Sequence, residues 1–297
     1  QVDLPCILVS DVRLAMALLA DFYYNHPSAK LGVVGITGTK GKSSTAYYLK
    51  YIFDEYLAAK GQPASGVISS IETYDGVEKF ESHLTTPEPL DLERHFANGV
   101  ATGMRYLTME VSSQALKYDR VKNVEFAAAV FLNIGMDHIS PIEHPDFEDY
   151  KNAKHRLFVD YQAREMIYNA DDDTSEFMRI GFGGHQTSYG IERAADYHGT
   201  ALAQFRSETA LGIDFLCEHG GSSTAVRVLS PGEFSASDAL CAIALCGAFG
   251  VSPAQAAQTL AHTPVQGRFE VVQGLPGRTF IVDYSHNGLA LTSALKT

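Results

Sequence analysis

The chain has 297 residues, 45% of them hydrophobic and 20% charged, which suits one large or two smaller globular domains with a sizeable core. Its formal net charge of −12 argues against a nucleic-acid binder, whose affinity comes largely from neutralising phosphates. Four scattered cysteines (Cys6, Cys217, Cys241, Cys246) form no C-x-x-C pair, so neither a zinc ribbon nor a disulfide framework is indicated, and a reducing cytoplasm fits.

The first residue is Gln1 rather than Met, and no signal peptide is visible. Residues 11–24 have helical periodicity, with Leu14, Leu18, Leu19 and Phe22 on one side and Asp11 as the N-cap. Strands and helices then alternate: strands are expected at 31–37, 65–70, 105–111, 126–132 and 165–169, and helices at 43–58, 90–103, 147–158 and 172–180. This alternation predicts an α/β fold, a mostly parallel sheet with helices on both faces. Ligands of such sheets sit at the C-terminal ends of the strands.

Beyond residue 186 the pattern changes. Alternating stretches at 197–205, 209–217 and 224–229, with turns at Gly220-Gly221 and Pro231-Gly232, suggest a small antiparallel subsheet. Helices follow at about 235–249 and 253–262. The apolar run 239–251 is too short to span a bilayer and reads as a core helix, so no membrane insertion is expected. Gln266-Gly267-Arg268 opens a strand pair ending in Asp283-Tyr284-Ser285-His286, and a boundary is placed near Pro264. Residues 287–297 read as the opening of an uncapped helix, and we expect a fragment of a longer chain.

The first strand runs into Gly35-Ile36-Thr37-Gly38-Thr39-Lys40-Gly41-Lys42-Ser43-Ser44. Strand, glycine-rich turn, Gly-Lys-Ser and helix is the layout of a phosphate-binding loop. Glycines let backbone N–H groups curl around phosphate oxygens, the helix N-terminus adds positive potential, and Lys42 supplies a point charge. The Ser43 hydroxyl is placed to ligate Mg²⁺. The general G-x-x-x-x-G-K-[ST] pattern is not met, because its first glycine position is Ile36.

Other unusual residues fall just after strands. Thr85-Thr86-Pro87-Glu88-Pro89 presents adjacent hydroxyls in an extended loop, or merely leads into a helix that Asp91 and Glu93 favour at its start. Glu110 ends a strand, where a carboxylate is placed to hold Mg²⁺ or is simply solvated. Asn133-Ile134-Gly135-Met136-Asp137-His138 shares that strand-end rim, which allows a metal role for Asp137 and His138. In the helix of 147–158, Lys154 lies four residues after Tyr150 and three before Leu157, on the apolar face. An inward lysine either snorkels or is depleted of charge and put to use.

Taken together, Gly38 to Ser43, Thr85 to Leu90, Met109-Glu110-Val111-Ser112-Ser113, Arg120-Val121, Asn133 with Asp137-His138, Tyr150 with Lys154 and Phe158, Gly267-Arg268-Phe269-Glu270 and Asp283 to His286 resemble the Mur ligase family, most closely its MurE-type UDP-N-acetylmuramoyl-tripeptide synthetases. The resemblance covers about residues 31–290 in the family's order. It implies an ATP-dependent ligase that makes an acyl phosphate on UDP-MurNAc-L-Ala-D-Glu and adds an amino acid, in cytoplasmic peptidoglycan synthesis. ATP would contact Gly38, Thr39, Lys40, Gly41, Lys42, Ser43, Ser44, Asn133, Arg268 and Asp283. Ser43 and Glu110 would bind one Mg²⁺, and His138 a second. Lys154 matches the family's carbamylated lysine, a CO₂ adduct that forms only on a neutral amine and can then ligate metal. Lys42, Lys154 and His138 would be catalytic, and Thr85, Thr86, Ser112 and Arg120 would hold the UDP-muramoyl peptide.

The resemblance divides the chain into a remnant of a UDP-binding domain and linker (1–30), a central ATP-binding domain (31–264) and the start of an amino-acid-binding domain (265–297). A monomer is expected. Lys40 and Ser43 stand where many relatives have Asn and Thr, and Ser235 and Asp238 replace both asparagines of the family's Gly-x-Phe-Asn-x-x-Asn stretch, which leaves the adenine contact open. Ile142-Glu143-His144-Pro145 is closer to the lysine-adding enzymes than to those adding diaminopimelate. The alternatives are a folylpolyglutamate synthetase-like ligase and a non-catalytic nucleotide-binding regulatory module.

Overall fold

The computed structural model describes residues 6–161, 163–207, 210–272, 278, 280–284, 291–292 and 295. One 11-stranded sheet dominates, built from β1 (Gly32–Thr37), β2 (Gly66–Ile68), β3 (Glu72–Tyr74), β4 (Lys79–Glu81), β5 (Tyr106–Glu110), β6 (Phe126–Phe131), β7 (Glu165–Asn169), β8 (His185–Gly190), β9 (Tyr197–Arg206), β10 (Leu211–His219) and β11 (Ser222–Val228). The strand order is β11-β10-β9-β8-β7-β6-β1-β5-β2-β3-β4. Pairing is parallel from β2 through β5, β1, β6, β7 and β8 to β9, and antiparallel at both edges. The expected antiparallel subsheet therefore exists, and it continues the parallel sheet rather than standing apart. A two-stranded ribbon, β12 (Glu270–Val272) with β13 (Phe280–Val282), follows.

The helices are α1 (Val12–Tyr23), α2 (Lys42–Ala58), α3 (Pro89–Ala101), α4 (Ser113–Lys117), α5 (Phe147–Val159), α6 (Ser175–Arg179), α7 (Glu233–Ala248) and α8 (Pro253–Leu260). They cover both sheet faces, as the alternation predicts. One core packs α2, α7 and α8 on the sheet through residues such as Leu49, Phe53, Leu240, Leu245 and Leu260. The other buries Leu92 and Phe96 of α3, Leu116 of α4, Leu157 and Phe158 of α5 and Met178 of α6. The strands of the parallel centre carry apolar residues on both sides because both sides are covered. Residues 239–251 do form the buried α7 and its end.

Three local features depart from the simplest reading of the sequence. Helix α1 forms, capped by Asp11, but its Leu18, Leu19 and Phe22 are exposed while Ala17, Ala20 and Asp21 are buried. The buried side of the helix is thus its small-residue and Asp21 side, and α1 contacts α3. Glu93 is not a solvated first-turn acid. It is buried on α3, with Asp21 the charged neighbour that adds to its carboxyl's pKa. The predicted helix at 172–180 shortens to α6, because Asp172 folds the chain before it by accepting from Thr174 N and Thr174 Oγ1. Most of the expected helix at 287–297, and both Ser285 and His286, lie outside the described residues.

Candidate active site

β1 lies between β5 and β6; the chain leaves β1 through α2 towards β2 and leaves β6 through α5 towards β7, in opposite directions along the sheet, so the C-terminal ends of β1 and β6 form its switch point. The glycine-rich loop begins there. A Cβ on Gly38 would come 2.9 Å from Leu132 Cβ and 3.3 Å from Lys40 O, so the turn fits only without a side chain. Gly41 is left-handed (φ 85°) and caps α2, whose first residue is Lys42. Asn133, from the loop after β6, braces this turn. Its Oδ1 accepts from Thr39 N (3.2 Å) and Lys40 N (2.9 Å), and its Nδ2 donates to Lys40 O (3.1 Å). Lys40 Nζ reaches Asp137 Oδ2 at 3.2 Å and ties the loop tip to the same segment. Thr39 Oγ1 sits 3.0 Å from Tyr150 Oη and accepts from Gly135 N.

Lys154 comes in from α5, whose inward face also buries Tyr150, Ala153, Leu157 and Phe158. It is 2% exposed, and its Nζ donates to Gly38 O at 2.9 Å. Burial holds its pKa well below the ordinary lysine value, and the neighbouring Lys42 lowers it further. Lys42 is also shifted down by burial, with Glu110 opposing and Lys40 and Arg268 adding to the shift. Its Nζ donates to Gly38 O (3.0 Å) and Thr39 O (3.3 Å). A glycine turn at a helix start, carrying this cation, fits a phosphate group.

A row of oxygens runs beside the loop. Ser43 Oγ is 3.0 Å from Ser70 Oγ, and Glu110 Oε1 accepts from Ser70 N (2.9 Å) and Ser70 Oγ (3.3 Å). Glu110 is 1% exposed, so the solvated reading of it fails. Hydroxyl and carboxylate oxygens of this kind suit Mg²⁺. Ser70 was not singled out from the sequence, because a serine at the end of a strand carries no pattern of its own. Arg268 arrives from the segment before β12 and donates to Ser43 Oγ at 3.0 Å, with its guanidinium 4.8 Å from the Tyr284 ring centroid. Asp283 Oδ2 accepts from Phe269 N, which links the two ends of the ribbon.

The Thr86 loop packs beside Glu110. Thr86 is fully buried; its Oγ1 donates to Glu110 O (2.9 Å) and accepts from Ser112 N (3.0 Å). Arg120 Nη1 donates to Thr86 O and its Nη2 pairs with Glu88 at 2.8 Å, while Thr85 is half-buried. Thr86 and Arg120 thus shape the loop that carries Thr85 and the turn that carries Ser112. Ser112 Oγ caps α4 by accepting from Ala115 N. His138 lies on the outer part of the rim, with left-handed backbone (φ 58°) and Nδ1 3.2 Å from Glu143 Oε1. Its ring centroid is 5.9 Å from that of Tyr150.

Asp238 occupies an unexpected place. It sits on the buried face of α7 under the loop, so close that a Cβ on Gly41 would meet its Oδ1 at 2.2 Å. It bonds Ser44, and burial raises its carboxyl well above the ordinary range, with Arg268 and Lys42 opposing. Ser235, one turn earlier, bonds Ser230 Oγ and Pro231 O (both 2.8 Å). Both side chains that replace asparagine are engaged within the protein.

The sheet, switch point and lysine-bearing loop define an α/β domain of the phosphate-loop type. Residues 36–246 match the Mur ligase middle domain, and the chain belongs to the Mur ligase family. It is 35% identical over 294 residues to the UDP-N-acetylmuramoyl-L-alanyl-D-glutamate--L-lysine ligase of Enterococcus faecalis, covering 97% of this chain and 56% of that protein. It is 37% identical over 306 residues to the UDP-N-acetylmuramoyl-L-alanyl-D-glutamate--2,6-diaminopimelate ligase of Geobacillus kaustophilus, covering 100% of this chain and 60% of that one. A solved UDP-N-acetylmuramoyl-L-alanyl-D-glutamate--2,6-diaminopimelate ligase shares the fold, with a TM-score of 0.79 at 22% identity over 98% of this chain and 58% of that structure. The chain thus spans 56% and 60% of the lengths of these two curated relatives. No described helix is long and apolar enough to cross a membrane.

Proposed function

We propose that this chain carries the ATP-binding centre of a cytoplasmic, monomeric MurE-type ligase that extends UDP-MurNAc-L-Ala-D-Glu by one amino acid. The observation that carries the reading is the convergence of Lys42, Lys154, Ser43 and Glu110 on one switch point, in a chain 35–37% identical to ligases of this name. Residues 31–264 form the central domain in this reading, flanked by parts of a UDP-binding domain and an amino-acid-binding domain.

The loop from Gly38 to Ser44 and Lys42 would hold the terminal phosphates of ATP, with Arg268 and Asp283 closing from the ribbon. Ser43 and Glu110 would hold one Mg²⁺, and His138 with carbamylated Lys154 a second. Bound Mg²⁺ supplies neutralisation of phosphate charge and orientation for in-line transfer. Thr85, Thr86, Ser112 and Arg120 would orient the muramoyl dipeptide so that its terminal carboxylate attacks the γ-phosphorus. ADP leaves and an acyl phosphate forms. The incoming amine then attacks the acyl carbon, inorganic phosphate leaves, and the amide is complete. Lys154 has the burial that keeps an amine neutral, and a neutral amine adds CO₂ with loss of one proton.

L-Lysine is the amino acid favoured by Ile142-Glu143-His144-Pro145. The test supplies the full gene product with ATP, UDP-MurNAc-L-Ala-D-Glu and L-lysine, diaminopimelate or no amino acid, and measures ADP. ADP that rises with L-lysine supports the reading. A rise with diaminopimelate corrects the amino acid alone. ADP release that needs a folate and glutamate, or none that depends on an amino acid, overturns it.

A further inference from the structure

The loop between β6 and α5 carries His138, Glu143 and His144, with Pro141 and Pro145 restricting its backbone. It folds back on itself: Ser140 N donates to His144 O at 2.9 Å. Three residues of α4, the helix that Ser112 caps, then fasten it. Ser113 Oγ lies 2.9 Å from His144 Nε2, Gln114 Nε2 donates to Glu143 Oε1 at 3.0 Å, and Lys117 Nζ donates to Glu143 O at 3.0 Å. His144 is fully buried, and its Nδ1 lies 2.6 Å from Asp149 Oδ2, which Lys117 also reaches at 2.7 Å. The hydroxyl–imidazole–carboxylate order is that of a nucleophilic triad, but Ser113 is only 5% exposed, so this chain is a brace.

Glu143 Oε1 is the shared atom. It faces Gln114 Nε2 on one side and His138 Nδ1 on the other, at 3.0 and 3.2 Å. The Gln114 amide nitrogen can only donate, and a carboxylate can only accept. His138 therefore carries a proton on Nδ1, and in the neutral ring Nε2 is the nitrogen that holds the lone pair, the arrangement in which a carboxylate prepares a histidine for a metal ion.

We propose that Glu143 is a positioning residue that fixes His138 for a divalent cation and links it, through Gln114, to the helix that bears Ser112, so that cation and muramoyl peptide each tighten the binding of the other. The inference rests on the proposed ligase function, and it names a coupling that neither site shows alone. Movement of α4 on substrate binding would reach His138 through a single carboxylate oxygen. By linkage the effect is reciprocal.

The experiment uses the full gene product and has two readouts apart from turnover. Nitrogen-15 NMR of the His138 ring without metal should show the Nδ1–H tautomer in wild type and in Gln114→Ala, and a mixture in Glu143→Ala. Mn²⁺ affinity, measured with and without UDP-MurNAc-L-Ala-D-Glu, should improve about fivefold or more with the nucleotide-peptide in wild type. The improvement should fall towards onefold in Glu143→Ala and Gln114→Ala, and return in part in Glu143→Gln, which keeps an acceptor oxygen. An Nε2–H tautomer in wild type, or an unchanged ratio in a folded Gln114→Ala variant, overturns the proposal. Should wild type fail to bind the nucleotide-peptide at all, the ligase reading falls and the coupling with it. Binding without any effect on Mn²⁺ sinks the coupling alone.

Discussion

Lys42 and Lys154 donate to the same acceptor, the carbonyl oxygen of Gly38, at 3.0 and 2.9 Å. One comes from the start of α2 and the other from the inward face of α5, 112 residues later in the chain. Two ammonium groups on one oxygen repel, and burial penalises both charges. Lys154, the more enclosed, gives way, and its pKa falls well below the ordinary lysine value. The glycine turn thus supports two amines of different character, Lys42 at the start of α2 and the more strongly depressed Lys154 behind it.

The carbamate on Lys154 can be tested directly. Equilibrating the protein with ¹³C-labelled CO₂ should give a carbamate signal that is absent from Lys154→Ala. In the full gene product, Lys154→Ala should lower kcat by about 100-fold or more, which corresponds to about 2.7 kcal/mol of transition-state stabilisation. Nucleotide binding through Lys42 should change far less. An amine that stays an ordinary ammonium in CO₂-equilibrated protein with full activity would contradict the assignment.

Gly41→Ala combines two penalties at one position. A left-handed backbone costs an L-residue about 1–2 kcal/mol, and φ here is 85°. The added methyl would also lie 2.2 Å from Asp238 Oδ1, on a helix too well packed to withdraw. The variant should bind ATP at least about tenfold more weakly and melt at a lower temperature. Gly41→Ala with Asp238→Ala relieves the collision and leaves the backbone term, so it should recover part of the loss. Calorimetry of ATP binding to the three proteins checks this, and an unaltered affinity in the single variant would show that the loop has another way to settle.

Thr86→Val keeps the shape of a fully buried side chain and removes its hydroxyl. That leaves Ser112 N and Glu110 O without the partner that joins the two strand-end turns. An unsatisfied buried group costs about 1–3 kcal/mol. The expected result is a raised KM for the UDP-muramoyl peptide with KM for ATP nearly unchanged. A rise in both would place Thr86 in the common scaffold.

Much of this was legible in the residues, and the failures share a cause. The parallel centre is legible because apolar runs such as 31–37 and 126–132 report burial on both faces. The direction of Lys154 is legible because helical spacing fixes its face relative to Tyr150 and Leu157. Periodicity reports a face and not the neighbour it meets. The spacing of Leu14, Leu18, Leu19 and Phe22 shows that they share one side of α1, but the buried side is that of Ala17, Ala20 and Asp21. Strands β3 and β4 have three residues each, too short to show alternation. Ser70 acts through a partner distant in the chain, Glu110, and no local pattern announces it; Asp238 stands out in its stretch, but its place under Gly41 depends on a partner far away in the sequence.

Glu93 gives the fold a pH dependence opposite to that of most carboxylates. It is 2% exposed, its Oε2 has no hydrogen-bond partner among the described residues, and Asp21 of α1 lies close. Burial first, and then Asp21, raise its pKa from 4.5 to about 8. The native state therefore keeps this proton up to about pH 8, whereas the unfolded chain releases it near 4.5. Between those values the native state binds more protons, so rising pH favours unfolding. The slope approaches about 1.4 kcal/mol per pH unit for one proton, or a few kcal/mol across the window. Asp238 is shifted in the same direction, so the two contributions must be separated. Glu93→Gln removes the titrating group and keeps its size. Urea unfolding at pH 5 and pH 8 should show wild type losing stability at the higher pH. The variant should lose about 2 kcal/mol less, while differing little from wild type at pH 5. Equal losses in the two proteins would mean that Glu93 ionises in the native state without penalty, and that the contact between α1 and α3 opens to admit water.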